Sequence, residues 1–293
     1  MGLRLRRAPA RASRRRRSSA AHAAKLAAVL ALFGAWPAAS VRAQSAHGGA
    51  SVAGADASAP VERTAATHPM RYWVSRPHGW SARRRWPVVL VIPGAEREFL
   101  AETREFAAAR GTRPFLVVIP LVLSAGGTAQ DHRPEFDYPE TAWARAARDG
   151  NCAFDRDGLD AVVADIQRLD AADSVVMLAA FEAGGHVAWT QLFSRPQRIA
   201  AAALVTPNYI GRCVDEASIP RFEEHRMPPV RAFAGGRDSL WTANSPIRGQ
   251  WLRARALALA NGFQSLTEIV VPDKGHEFMA DELLEFLDSA SRH

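Results

Sequence analysis

The chain has 293 residues, enough for one large α/β domain or two small ones. Its net charge of +7 is a poor guide to partners, because ten of its 37 Lys and Arg lie in residues 1–43, which hold no Asp or Glu. The other 27 face 30 acidic residues, a balance of −3, so charge gives no reason to expect a nucleic-acid partner.

Residues 1–43 read as a secretory signal peptide. MGLRLRRAPARASRRRRSS is a basic start, and AAKLAAVLALFGAWPAA is an apolar stretch too short and interrupted to span a bilayer. Val41-Arg42-Ala43 fits the cleavage site, which puts the start of the mature chain near Gln44. An uncleaved anchor is the alternative. The reading predicts a secreted or periplasmic protein with no stable membrane insertion once the leader is removed.

Residues 44–63, rich in Ala, Gly and Ser, hold too little large apolar surface to offset chain entropy and read as a disordered linker. The globular domain is expected over 64–293.

Within it, MRYWVSRP alternates like an outer strand, and PVVLVIPG is a continuous apolar run typical of a strand buried on both faces. EREFLAETREFAAARG predicts a helix closed by Gly111, and FLVVIPLV a second buried strand. SAGGTAQDHRPEFDYPET reads as irregular. In FDRDGLDAVVADIQRL, Leu159, Val162, Val163, Ile166 and Leu169 make one apolar helical stripe. SVVMLAAF, IAAAALVT, PVRAFAGG and LTEIVVPD supply four more strands. PIRGQWLRARALALANGF and ADELLEFLDSASR supply two more helices. This alternation implies an α/β fold with a mostly parallel central sheet, helices on both faces, and ligands beyond the strand carboxyl ends.

Cys152 and Cys213 are the only cysteines. Export would permit a disulfide between them, but the sequence leaves open a bridge or two unrelated buried thiols. Two cysteines are too few for a Cys-based zinc site, and no cofactor or metal motif appears. The Trp and Phe side chains are expected in the core or pocket wall.

Three loop residues carry the chemistry. Glu182 follows SVVMLAAF in AAFEAGGH, where a small residue before it and two glycines after it form a sharp strand-to-helix turn. Asp238 follows PVRAFAGG, and His276 follows LTEIVVPD. The order elbow, acid, histidine is that of the α/β-hydrolase fold.

At these residues the chain resembles secreted esterases of the polyhydroxybutyrate depolymerase and feruloyl esterase type. FEAGGHVA is similar to their Ser-Ala-Gly-Gly elbow with Glu in place of Ser, and GHEFMADELLEFL to their histidine loop and closing helix. The resemblance covers residues 70–290. It implies Glu182, Asp238 and His276 as the catalytic positions, and the backbone N–H groups of Ala95 and Ala183 as the oxyanion hole. The family more often has His-Gly where this chain has Pro93-Gly94.

Glutamate at the elbow breaks the serine mechanism as written. It has no hydroxyl proton for His276 to take, and its acyl product would be an anhydride. A carboxylate beside His276 would also favour the imidazolium, which cannot act as a base. Two classes of function follow. One is an exported, esterase-like hydrolase with an altered nucleophile; a variant of it attacks a carbon electrophile through the carboxylate, although Glu182 is a methylene longer than the aspartate usual there. The other is a non-catalytic pseudo-hydrolase that binds a small molecule, polymer or protein in the old cleft. An ester-like small molecule or polymer is the expected ligand.

Blander readings stay open at each position. Glu182 could be an inert side chain on a relic turn, Asp238 a turn residue and His276 a structural loop histidine. Ser124, before Ala-Gly-Gly, offers a rival nucleophile or a pocket-shaping loop. Glu182 and His186, four apart on one helix face, are too few for a metal site.

Overall fold

A computed structural model describes residues 59–126, 133–223 and 227–291. The strands are β1 (Val61–Thr64), β2 (Arg71–Ser75), β3 (Val88–Ile92), β4 (Leu116–Pro120), β5 (Val176–Phe181), β6 (Ile199–Val205), β7 (Val230–Gly235) and β8 (Leu266–Val271). Between and after them run α1 (Phe99–Arg110), α2 (Arg133–Phe136), α3 (Glu140–Asp149), α4 (Asn151–Leu169), α5 (Gly185–Ser194), α6 (Pro246–Ala260) and α7 (Ala280–Ala290).

The eight strands make one sheet in the order β1-β2-β4-β3-β5-β6-β7-β8. β1 and β2 are antiparallel to each other, and β2 is antiparallel to β4. From β4 to β8 every pairing is parallel. All five residues of β3 and of β4 are buried, so helices cover both faces of the sheet centre. β8 lies at the edge and is largely exposed. The core draws on Trp86, Trp189 and Trp251 as its bulkiest members, which is where the aromatic residues were expected.

Two details depart from the sequence reading. β1 starts at Val61, inside the stretch predicted as linker. VERT escapes a hydrophobicity-based reading because it is a sheet-edge strand with no fully buried residue. Pairing with β2 holds it, together with the 2.6 Å ion pair from Arg63 to the buried Asp170. The second departure is α2, inside the stretch read as irregular, and α3, which starts at the end of that stretch and continues through residues assigned to no element. α3 buries Ala142, Trp143 and Ala146, a face too small to register as a periodic stripe. In α4, Val162 and Ile166 are fully buried as predicted, but Leu169 emerges at the helix end, 37% exposed.

The leader at 1–43 and most of the predicted linker lie outside the described residues. The described residues belong to one compact unit. No helix among the described residues is long and apolar enough to cross a membrane.

Candidate active site

β5 ends at Phe181, and within three residues the chain enters α5. Glu182 makes this turn with φ of +45°, a left-handed conformation that costs a non-glycine residue about 1–3 kcal/mol. Gly184 lets the turn press against the end of β3. A Cβ there would lie 2.4 Å from the Ile92 carbonyl oxygen and 2.5 Å from that of Pro93. From the other side, the Asn208 N–H donates to the Glu182 carbonyl at 2.9 Å. The local structure is that of a nucleophile elbow, with a glutamate at its tip.

The tip meets the loop after β3. The Ala95 N–H donates to Glu182 Oε2 at 3.4 Å, a long hydrogen bond that points the carboxylate at this donor. Ala183, the other expected oxyanion position, is buried next to Glu182. Sequence reasoning missed the residue that fixes this loop, Arg97. It is buried, with φ of +58°. Its guanidinium donates to the Ala95 carbonyl at 2.6 Å and to the Gly126 carbonyl at 2.5 Å. Glu135 lies 3.7 Å away as its counter-charge. The available signal was an arginine three positions after Pro-Gly, but helix-start arginines are ordinarily solvated.

Asp238 and His276 are in contact. His276 Nδ1 lies 2.9 Å from Asp238 Oδ2, and the Asp238 side chain is fully buried. The other carboxylate oxygen accepts the Leu240 N–H at 2.8 Å. Backbone contacts between the two loops set this geometry. The Gly236 N–H donates to Val271 at 2.7 Å and the Arg237 N–H to Lys274 at 2.9 Å. Gly235 permits the approach, since a Cβ there would fall 2.2 Å from the Gly275 carbonyl oxygen.

Phe181 joins the two halves. Its ring lies 4.9 Å from that of His276 and 5.3 Å from that of Phe278. The histidine therefore stands beside the residue that precedes the elbow tip. Its hydrogen-bond partner is Asp238, whereas the Glu182 carboxylate turns to Ala95.

Carboxylates also crowd the adjoining start of α1. Burial first, and then Glu105, Glu98 and Glu96, push the Glu102 carboxyl up to about 8. Burial and the nearby Glu277 raise Glu105.

Ser124 is a loop-building residue. Its hydroxyl and its N–H both donate to Asp155 Oδ2, at 2.5 and 2.7 Å. Leu123 N–H takes the other oxygen at 2.8 Å. Burial pushes Asp155 up to about 6 despite these three donors. This arrangement leaves the hydroxyl held by an acid rather than activated by a histidine.

His186 is buried one helical turn beyond Glu182, where burial and then Arg212 lower it to about 4. Among the described residues no three potential ligands group as a metal site. Cys152 and Cys213 form a disulfide with Cα atoms 5.3 Å apart, tying the start of α4 to the loop after β6.

No protein-family model matches this chain, and neither does any curated protein sequence. Solved structures do match. An S-formylglutathione hydrolase from Agrobacterium tumefaciens aligns with a TM-score of 0.54 at 15% identity, over 82% of this chain and 98% of its own. One from Staphylococcus aureus gives 0.53 at 10%, over 79% and 95%. Poly(aspartic acid) hydrolase-1 from Sphingomonas sp. KT-1 gives 0.52 at 12%, over 80% and 98%. With the strand order and the elbow, these likenesses establish the α/β-hydrolase fold.

Proposed function

On an α/β-hydrolase fold whose elbow carries Glu182, we propose an exported, esterase-like protein in which ordinary ester hydrolysis is silenced. The old cleft then serves to bind an ester-like small molecule or polymer. The observation that carries this reading is the hydrogen bond from Ala95 N–H to Glu182 Oε2. An ester reacting at the elbow must place its carbonyl oxygen on that donor, where negative charge develops. Here an oxygen of the protein already holds it. Asp238 and His276 contact each other, but a glutamate at the tip has no hydroxyl for such a pair to activate. The basic, apolar leader supports export.

The hydrolase names of the matched structures favour acyl chemistry as the ancestral setting. The test is hydrolysis of short p-nitrophenyl esters by the wild type, Glu182→Ser, and Glu182→Ser with His276→Ala. The wild type should match a buffer blank. Glu182→Ser should gain turnover, and His276→Ala should reduce that gain by about 10²-fold or more. Ester turnover by the wild type that disappears on Glu182→Ser would sink the silenced reading.

One observation favours a second reading. Ala95 engages Oε2 alone, which leaves Oε1 to attack an alkyl carbon. The attack would expel a leaving group with its electron pair and form an alkyl ester. Water deprotonated by His276 would then cleave that ester at its carbonyl carbon, restoring the carboxylate. Halide release from a haloalkane, or diol formation from an epoxide, by the wild type and not by Glu182→Gln separates this reading from the first.

A further inference from the structure

The end of the sheet opposite the elbow carries a different chemistry. There the parallel strands begin, and Arg83, Arg84 and Arg85 stand exposed in the loop before β3. Arg168, in the last turn of α4, is exposed beside them. With Gln167 and Leu169 these arginines line a surface cavity of about 330 Å³.

Several of the guanidiniums are held in place. Arg84 lies 3.7 Å over the Trp86 ring, and Arg85 donates to the Ala172 carbonyl at 2.9 Å. Arg168 pairs with Asp165 at 2.5 Å. Arg76, nearby, stacks 3.8 Å over Trp80 and pairs with Asp170. Residues 44–293 have a balance of −3, so this patch is a local concentration of charge and not a sample of the whole.

Apolar side chains share the same end. Leu169 closes α4, Val175 precedes β5 and Val61 opens β1; they are 37%, 43% and 49% exposed. Val61 pairs with Val74, one residue before Ser75 and the loop that leads to the arginines. β1 therefore begins at this end of the sheet.

Arginine forks match phosphate oxygens in bidentate pairs. Exposed Val and Leu among them gain nothing from a free phosphate or a nucleic-acid backbone, but they fit a headgroup layer with acyl chains beneath it. We propose that the strand-start end of this domain docks on an anionic phospholipid surface, with the elbow facing away from it.

Vesicle co-sedimentation tests the proposal, with the full chain and with residues 44–293, which contain the whole compact unit. The shorter form isolates the patch from the basic leader. It should sediment with phosphatidylglycerol–phosphatidylcholine vesicles at low salt and stay in solution with pure phosphatidylcholine. Salt near ~0.5 M should release it. Arg83→Gln, Arg84→Gln and Arg85→Gln together should cut binding by about tenfold or more. The same number of charges removed at Arg104, Arg253 and Arg255 should leave binding intact. Melting temperatures of both triple variants check that each is folded. Three results would overturn the proposal: no sedimentation with the anionic vesicles, equal loss in both triple variants, or binding of inorganic phosphate or DNA without binding to vesicles.

Discussion

The Glu182 carboxylate accepts the backbone N–H of Ala95, so the side chain at the elbow tip is tied to the loop after β3. The contact is made from a strained backbone, with Glu182 at φ of +45°. A glutamate gains nothing obvious from that strain, whereas a nucleophile needs it to stand clear of the sheet. Glu182→Gly should therefore raise unfolding stability by about 1 kcal/mol, the relief of a left-handed non-glycine residue less the added chain entropy. Chemical denaturation reads the change, and a loss of stability would show that the carboxylate contact outweighs the strain.

Gly184 tests the close packing beneath the tip. Gly184→Ala would put a methyl 2.4 Å from the Ile92 carbonyl oxygen, which belongs to rigid strand backbone. Overpacking of this kind should cost about 2–3 kcal/mol. Gly249→Ala, where an added Cβ meets nothing within 4 Å, is the matched control on a helix and should not destabilise.

Glu102 gives a pH dependence of definite sign. Its carboxyl is raised from 4.5 to about 8, by burial first and then by neighbouring glutamates. One of its oxygens is buried without a partner. A folded-state value above the unfolded one means a stabilising contribution that is full below 4.5 and lost as pH rises through about 8. Glu102→Gln should thus be near neutral at pH ~4 and stabilising by on the order of 2 kcal/mol at pH ~9. Melting curves at the two pH values check this, and an equal effect at both would refute it.

The Cys152–Cys213 bridge joins residues 61 positions apart in the chain. Replacing both cysteines with serine should cost about 4 kcal/mol, by the loop-closure estimate. The wild type treated with reductant should fall to the same denaturation midpoint, while the double variant should not respond to reductant.

Much of the fold was legible because buried parallel strands write themselves as apolar runs. VVLVI and LVVIP could be placed without structural help, and the residues just after each strand then became the candidates. β1 was hidden because an edge strand such as VERT needs no apolar alternation to pair. Glu182, Asp238 and His276 were visible as positions, since each follows a strand. Where the Glu182 carboxylate points was not visible, because that depends on the approach of the β3 loop in three dimensions. Arg97 was hidden for the same reason. Its partners are carbonyls at Ala95 and Gly126, and carbonyls leave no mark on a sequence.

The backbone ladder between the loops after β7 and β8 makes the corner that carries Asp238 and His276 self-supporting. It sets Asp238 against His276 through main-chain contacts of its own, and the Phe181 ring links that corner to the elbow. A side-chain replacement at the elbow tip therefore leaves the main-chain scaffold of the acid–histidine corner in place.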